Sequence, residues 1–264
     1  MSPALSHHRG GTGEPLLLVH GVGHHWQGWA PVLGALEREF DVIAPDSPGF
    51  GRSAPLPAGV PPTIASYADA LEAFLAGLGV ERPHVAGNSM GGAIAIELLR
   101  RGSVRTATAI SPAGFWSPRE RTYAQSVFRA IAAIPAPLRP AVVRSARTRT
   151  GRAALTATLV ARPARMSADE AASAMDDLLR APALLPCVAA FDGLDLRSGA
   201  GLRTDGLTVA WGTRDRLLLA RPQARRAREA LPAARHVALA GLGHVPMSDD
   251  PGVVAEVIRQ GALG

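Results

Sequence analysis

A serine flanked by glycines lies within residues 87–91, where the sequence reads Gly-Asn-Ser-Met-Gly. A short apolar segment, 84–86, precedes it, and a helical pattern over 93–99 follows. This context fits a nucleophile elbow, a strained strand-to-helix turn that would expose the Ser89 hydroxyl. Small residues are needed two positions before and after the serine, because larger side chains would collide in so tight a turn. Taken alone, an ordinary glycine-rich turn explains the same string equally well.

A histidine and an aspartate stand just past two late predicted strands. Asp215 follows the strand predicted at 207–211, and His244 follows the strand at 236–240. Parallel strands present their carboxyl ends at one edge of a sheet, which is where such sheets carry their sites. A serine nucleophile needs a histidine as base and an acid that orients the histidine. Three other acids precede the first of these strands and are expected at its opposite end: Asp192, Asp195 and Asp205.

A second glycine-rich turn, His-Gly-Val-Gly at 20–23, follows an apolar strand. The backbone N–H of Val22, together with that of Met90, would form an oxyanion hole for the negative charge that develops on a carbonyl oxygen. The alternative is a dinucleotide-binding loop, which needs the pattern G-x-G-x-x-G. Trp26 occupies the last glycine position, so that pattern fails.

Strand and helix signals alternate up to about residue 110, which predicts a mostly parallel, doubly wound α/β sheet. The first segment is predicted to be a hairpin of strands 4–8 and 15–19. Residues 115–199, here called the helical insertion, are alanine-rich, broken by prolines and without convincing strands. We therefore predict a core made of 1–114 and 200–264, interrupted by this insertion.

Composition excludes several classes of protein. All 28 basic residues are arginine, so neither a lysine Schiff base nor a P-loop lysine is available. A net charge of +6 without a basic stripe gives no reason to expect nucleic-acid binding. The single cysteine, Cys187, excludes an internal disulfide and a thiolate metal cluster. No signal peptide or membrane span is recognisable, and the expectation is a soluble cytoplasmic protein.

The charge of the helical insertion is unevenly distributed. Residues 117–165 contain ten arginines and one acid, whereas residues 166–195 contain six acids and one arginine. The simpler interpretation is that the two halves pair with each other. The alternative is that the basic half attracts an anionic substrate or partner through its field.

These motifs together resemble the α/β-hydrolase fold family along essentially the whole chain. The resemblance also rests on Asp-Ser-Pro-Gly-Phe-Gly-Arg-Ser at 46–53 and on Gly-His-Val-Pro-Met-Ser-Asp-Asp-Pro at 243–251. It implies a sheet of about eight strands, the insertion as a cap over the site, a Ser89–Asp215–His244 triad and no cofactor or metal. Asp249 stands where the family usually carries an acid and is given no separate role. A pocket between core and cap would be lined by His24, Trp26, Phe115 and Trp116, with core packing as the alternative for each.

The resemblance leaves several reactions open. The expected one is hydrolysis of a small-molecule carboxylic ester, thioester or lactone through an acyl-enzyme on Ser89. Haloalkane dehalogenases and epoxide hydrolases place Asp at the nucleophile position, and Ser89 argues against both. Hydrolases of C–C bonds in vinylogous diketones share Gly-Asn-Ser-Met-Gly-Gly, but usually carry Trp where Val245 follows the histidine. Cofactor-free haloperoxidases or perhydrolases share the triad, and a ligand-binding receptor on the same fold is the non-enzymatic alternative.

Overall fold

The computed structural model describes residues 5–264 and has one seven-stranded sheet. Its strands run in the spatial order β1-β3-β2-β4-β5-β6-β7, and all neighbours are parallel except β1 and β3. This confirms the predicted α/β class, with seven strands rather than about eight. The strands are β1 (His7–Gly10), β2 (Glu14–Val19), β3 (Phe40–Pro45), β4 (His84–Asn88), β5 (Ala107–Ile110), β6 (Leu207–Gly212) and β7 (Arg235–Leu239).

Helices cover both faces of the sheet, as a buried parallel sheet requires. Along β2, Leu16 and Leu18 belong to one apolar cluster, whereas Leu17 and Val19 belong to the other. The helices are α1 (Ala30–Leu36), α2 (Ile64–Gly77), α3 (Met90–Arg101), α4 (Pro118–Ala132), α5 (Arg139–Ala146), α6 (Arg149–Leu155), α7 (Ala168–Arg180), α8 (Leu184–Ala190), α9 (Ala220–Ala230) and α10 (Pro251–Leu263). Helices α1 and α10 pack on the Leu16 face, and α2, α3 and α9 pack on the Leu17 face.

The predicted N-terminal hairpin is wrong. Strand β1 pairs antiparallel with β3, which lies between β1 and β2 in the sheet. The connection from β1 to β2 crosses the start of β3 at very close range. A Cβ on Gly11 would lie 2.2 Å from the Phe40 carbonyl oxygen, and one on Gly13 would lie 2.3 Å from that of Glu39. The two glycines, both at positive φ, therefore permit a crossing rather than a tight hairpin. Ala4, the first residue of the predicted strand, lies outside the described residues.

The chain between β5 and β6 holds α4 to α8 and no strand among the described residues. The insertion thus occupies the place in the fold that its composition indicates, while the domain boundaries at 115 and 199 stay a prediction. No helix in the described chain is by itself long and apolar enough to cross a membrane. One pair bent by 79°, Pro118–Ala132 with Ala136–Ala146, reaches that length and composition only when taken together.

Candidate active site

Ser89 occupies a strained turn between β4 and α3. Its backbone has φ 58° and ψ −115°, a conformation that L residues rarely adopt. Gly87 and Gly91 make this turn sterically possible. A Cβ on Gly87 would lie 2.0 Å from the Gly91 carbonyl oxygen, and one on Gly91 would lie 2.0 Å from that of Val19. The turn leaves Ser89 on the wall of a cavity at the carboxyl edge of the sheet.

The structure brings Asp215 and His244 into direct contact. His244 Nδ1 lies 2.8 Å from Asp215 Oδ2, and both side chains are buried. The other carboxylate oxygen, Oδ1, accepts hydrogen bonds from the N–H groups of Leu217 and Leu218 at 2.9 and 2.8 Å. Since the carboxylate only accepts, Nδ1 must carry a proton, which leaves Nε2 of His244 free to act as a base.

His244 lines the same cavity as Ser89. The Ser89 side chain makes no hydrogen bond to His244 in the described structure. Such contacts are often long in an unliganded site and shorten when substrate binds. Asn88 joins the Ser89 turn directly to the loop that carries His244. Its Nδ2 donates to the carbonyl oxygens of Ile110 at 3.2 Å and His244 at 2.9 Å. The residue beside the candidate nucleophile therefore holds the main chain of the candidate base.

The peptide group between Gly21 and Val22 is held from its carbonyl side. Gly21 O accepts hydrogen bonds from His20 Nδ1 at 2.7 Å and from the His24 N–H at 3.2 Å. The N–H of Ser47 donates to His20 Nε2 at 2.8 Å, which places the imidazole proton on Nδ1. In a trans peptide the C=O and the next N–H point in opposite directions. The Val22 N–H consequently points away from these donors, and it has no acceptor within residues 5–264.

The peptide group between Ser89 and Met90 is held in the same way. Ser89 O accepts hydrogen bonds from the N–H groups of Ala93 and Ala113, both at 3.1 Å. As the first residue of α3, Met90 has no intrahelical acceptor for its own N–H. Both predicted oxyanion donors thus belong to peptide groups whose orientation is set by bonds to the attached carbonyl.

The helical insertion supplies nine of the 18 residues that line the cavity. No Asp, Glu or Arg lines the cavity in the described part of the chain, so the ionisable groups on its wall are His24 and His244. The larger apolar residues contributed by the insertion are Phe128, Leu159, Val160, Met166, Met175 and Leu178. The cavity is consequently suited to an uncharged, apolar group.

Of the four residues predicted to line a pocket, only His24 does so. Trp26 stacks on the His8 ring at 5.0 Å. Phe115 is fully buried against Trp211, and Trp116 packs on Phe191 while its indole N–H donates to Leu194 O. The prediction is wrong for Trp26, Phe115 and Trp116, because their rings fill core and interface space instead of facing the cavity.

The arginine-rich half of the insertion pairs only in part with the acidic half. Arg121 contacts Asp192 and Arg147 contacts Asp169, whereas Arg162 and Arg165 contact Asp250 of the core. Arg139 and Arg152 instead donate to backbone carbonyl oxygens. None of the ten arginines lines the cavity in the described structure. The hypothesis that the basic half attracts an anionic substrate therefore has no charged contact at the site to support it.

Two histidines near the Val22 turn are held neutral. Burial lowers the pKa of His20 to about 4. Burial and the neighbouring imidazoles of His25 and His20 lower the pKa of His24 to about 3. His25 Nδ1 lies 2.7 Å from Asp177 Oδ2 on α7, which ties this turn to the insertion.

We expect these neutral histidines to make folding sensitive to acid. An unfolded histidine has a pKa near 6.5, so between about pH 6.5 and 4 the unfolded chain binds more protons than the folded one. The free energy of unfolding should therefore fall as pH is lowered through this range. His24→Gln should reduce the slope of the unfolding free energy against pH by an amount that corresponds to up to about one bound proton. Urea unfolding at several pH values measures this slope. An unchanged slope would mean that His24 is not the group responsible.

Sequence reasoning missed several residues that build the site. His20 and Asn88 lie inside recognised motifs but their bonds were not predicted. The buried carboxylate of Asp46 accepts from the N–H groups of Trp26 and Arg52, and Asp249 accepts from three N–H groups. An acid inside a loop rich in Gly, Pro and Ser is the signal that could have found both. In the described structure no group of three or more His, Cys, Asp or Glu is arranged to hold a metal ion.

Comparison with known proteins gives consistent findings. A family model described as the alpha/beta hydrolase family matches residues 16–257. Epoxide hydrolase EphH of Mycobacterium tuberculosis is 32% identical over 200 residues, which cover 74% of this chain and 92% of that protein. A thermophilic esterase from Thermogutta terrifontis superposes with a TM-score of 0.74 at 23% identity, covering 97% of this chain and 92% of the esterase. The enol-lactonase from Burkholderia xenovorans LB400 gives 0.74 at 22% identity, covering 97% and 95%. These two structures share the fold.

Proposed function

Because the chain belongs to the alpha/beta hydrolase family, we propose that it is a serine hydrolase that cleaves a carboxylic ester, thioester or lactone. The observation that carries this proposal is the 2.8 Å contact between His244 Nδ1 and Asp215, with Ser89 on the same cavity. A histidine whose Nδ1 proton is bound to a buried carboxylate presents a basic Nε2. A serine on a strained elbow is the nucleophile that such a base serves.

In the acylation step Ser89 Oγ attacks the carbonyl carbon, and His244 Nε2 takes the hydroxyl proton. The carbonyl π electrons move onto oxygen, and the N–H groups of Val22 and Met90 stabilise the resulting charge. The product of this attack is a tetrahedral intermediate. Its collapse breaks the bond to the leaving group, which receives the proton from His244. The product that remains is an ester between the substrate acyl group and Ser89.

In the deacylation step His244 takes a proton from water, and the water oxygen attacks the acyl carbon. The same two N–H groups stabilise the second oxyanion. Collapse then breaks the bond to Ser89 Oγ, which recovers its proton from His244. The apolar, uncharged wall supplied by the insertion supports an apolar acyl group in this role.

Epoxide hydrolysis is the second candidate, because EphH, which aligns over 74% of this chain, is named an epoxide hydrolase. Its chemistry fits Ser89 poorly. A carboxylate that opens an epoxide forms an ester, which water can cleave. A serine hydroxyl would form an ether, which has no carbonyl carbon for water to attack, so the enzyme would not turn over.

A p-nitrophenyl ester series of increasing acyl length, run beside styrene oxide and a fluorophosphonate label, tests the proposal. We expect ester hydrolysis with an initial burst of p-nitrophenol, about one label per chain on Ser89, and no epoxide opening. Epoxide turnover without labelling would favour the second candidate. Labelling without ester turnover would point to the C–C bond or perhydrolase reactions, and ligand binding with neither would point to a receptor.

A further inference from the structure

Asp249 is a fully buried carboxylate in the loop that carries His244. Its Oδ2 accepts hydrogen bonds from the N–H of Gly243 at 2.7 Å and from that of Ala161 at 3.1 Å. Its Oδ1 accepts from the N–H of Arg162 at 2.6 Å. Three backbone donors from two distant segments therefore converge on one side chain.

Two of these bonds join the His244 loop to the helical insertion, and the third lies within the loop. Gly243 immediately precedes His244, and Ala161 and Arg162 belong to the turn between α6 and α7. On the other side of His244, the N–H of Val245 donates to Leu159 O at 2.8 Å. The main chain on both sides of the proposed base is consequently fixed to residues 159–162, and the Asp249 carboxylate accepts two of the three hydrogen bonds that backbone N–H groups make between these two segments.

Burying the Asp249 carboxylate costs free energy, and hydrogen-bond donors are needed to offset this cost. Removing a carboxylate from water costs several kcal/mol unless strong hydrogen bonds replace the lost hydration. Hydrogen bonds from backbone N–H groups to a charged acceptor are about twice as strong as neutral ones. They also fix the geometry, because a carboxylate with both oxygens occupied tolerates little displacement of either segment.

We propose that Asp249 is a positioning residue for His244, holding the base in register with Ser89 by anchoring its loop to the insertion. This inference rests on the proposed function, in which His244 is the general base. Asp249 does not line the substrate cavity and takes no proton in the reaction. Its contribution is to the placement of the imidazole, where a displacement of about 1 Å can cost about 10²-fold in rate.

The test compares Asp249→Asn with Asp250→Asn. In the first variant the new amide would turn its NH₂ group toward at least one backbone N–H, which breaks the arrangement. Asp250 is the matched control, because it lies in the same loop and carries the same charge but caps α10 at the Val253 N–H, a role that Asn also fills. Its ion pairs with Arg162 at 3.5 Å and Arg165 at 3.3 Å are partly exposed, and such pairs contribute little to the placement of a loop. We expect Asp249→Asn to lower kcat for a p-nitrophenyl ester by about 10- to 100-fold per labelled site, with KM nearly unchanged. Asp250→Asn should stay within about twofold of the parent.

Two readouts separate positioning from simple loss of stability. An imidazole that has moved away from Asp215 loses stabilisation of its charged form, so the acid limb of the pH profile of kcat/KM should move to lower pH. The Nδ1 proton of His244, followed by NMR, should lose the downfield shift produced by its bond to Asp215. A merely unstable variant would lose active sites but keep both signatures in the folded molecules.

Gly243→Ala provides a second variant that leaves Asp249 in place. The added Cβ would lie 2.8 Å from Ala161 N and from Leu159 O, so it must push the same two segments apart. We expect the same loss of kcat and the same change in the His244 Nδ1 signal. This variant keeps the proposal open to test if Asp249→Asn does not fold.

An unchanged His244 signal with kcat within twofold of the parent, in either folded variant, would overturn the positioning role. Equal losses in Asp249→Asn and Asp250→Asn would do the same. If the parent itself neither hydrolyses esters nor takes the label, the proposed function fails. The NMR comparison then still decides whether Asp249 holds His244 against Asp215.

Discussion

Replacing Ser89 by alanine is expected to lower kcat for ester hydrolysis by about 10⁶-fold, the loss found when subtilisin loses its serine. The variant should fold normally, because the Ser89 side chain makes no helix-capping bond and alanine has the same Cβ at the same strained φ of 58°. The measurement is steady-state hydrolysis of the preferred p-nitrophenyl ester, with thermal unfolding as the check on the fold.

Ser111→Ala is the matched control for this variant. Ser111 follows β5, has a positive φ of 44° and is fully buried, and its hydroxyl has no hydrogen-bond partner in the described part of the chain. Removal of this oxygen from a neighbouring strand end should leave kcat close to that of the parent. Activity of Ser89→Ala within tenfold of the parent would show that the nucleophile lies elsewhere.

Features that depend on neighbours in sequence were predictable. Thr63, a residue type that favours helix N-caps, precedes α2, and its Oγ1 accepts from the Ser66 N–H at 3.2 Å. Asp250 followed by Pro251 is a typical start of a helix, and Asp250 accepts from the Val253 N–H at the beginning of α10. In each case the residue type satisfies a backbone requirement within three or four positions. The alternation of strands and helices follows the same local logic and indicates the parallel sheet.

Features that depend on distant segments were not predictable from the pattern. Nothing near β1 indicates that its partner is β3, since an alternating strand followed by glycines fits a hairpin equally well. Phe115 and Trp116 have the residue types of a pocket wall, but their direction is set by packing against Trp211 and Phe191. Asp249 is a further case, because its role arises from residues 161–162, more than eighty positions away.

Asp215→Asn is expected to lower kcat by about 10⁴-fold, the size of the loss found when the corresponding aspartate of trypsin is replaced by asparagine. The reason lies in how the backbone would orient the new amide. The N–H groups of Leu217 and Leu218 both donate to Oδ1, so the amide oxygen must occupy that position. The amide NH₂ then faces His244 Nδ1 in place of Oδ2 and donates to it. His244 would consequently carry its proton on Nε2, the atom that has to accept the proton from Ser89.

Asp192→Asn is the control for Asp215→Asn, because it makes the same change at an acid that pairs with Arg121 and Gln125 away from the cavity. We expect it to keep kcat within about twofold of the parent, with thermal unfolding of both variants as the check on the fold. The reversed tautomer of His244 predicts a further effect that a folding defect does not predict. Fluorophosphonate labelling of Ser89 should slow strongly in folded Asp215→Asn, since the label also requires the serine proton to leave through Nε2. Parent-like labelling in that variant, or loss of activity in Asp192→Asn instead, would assign the orienting acid to another residue.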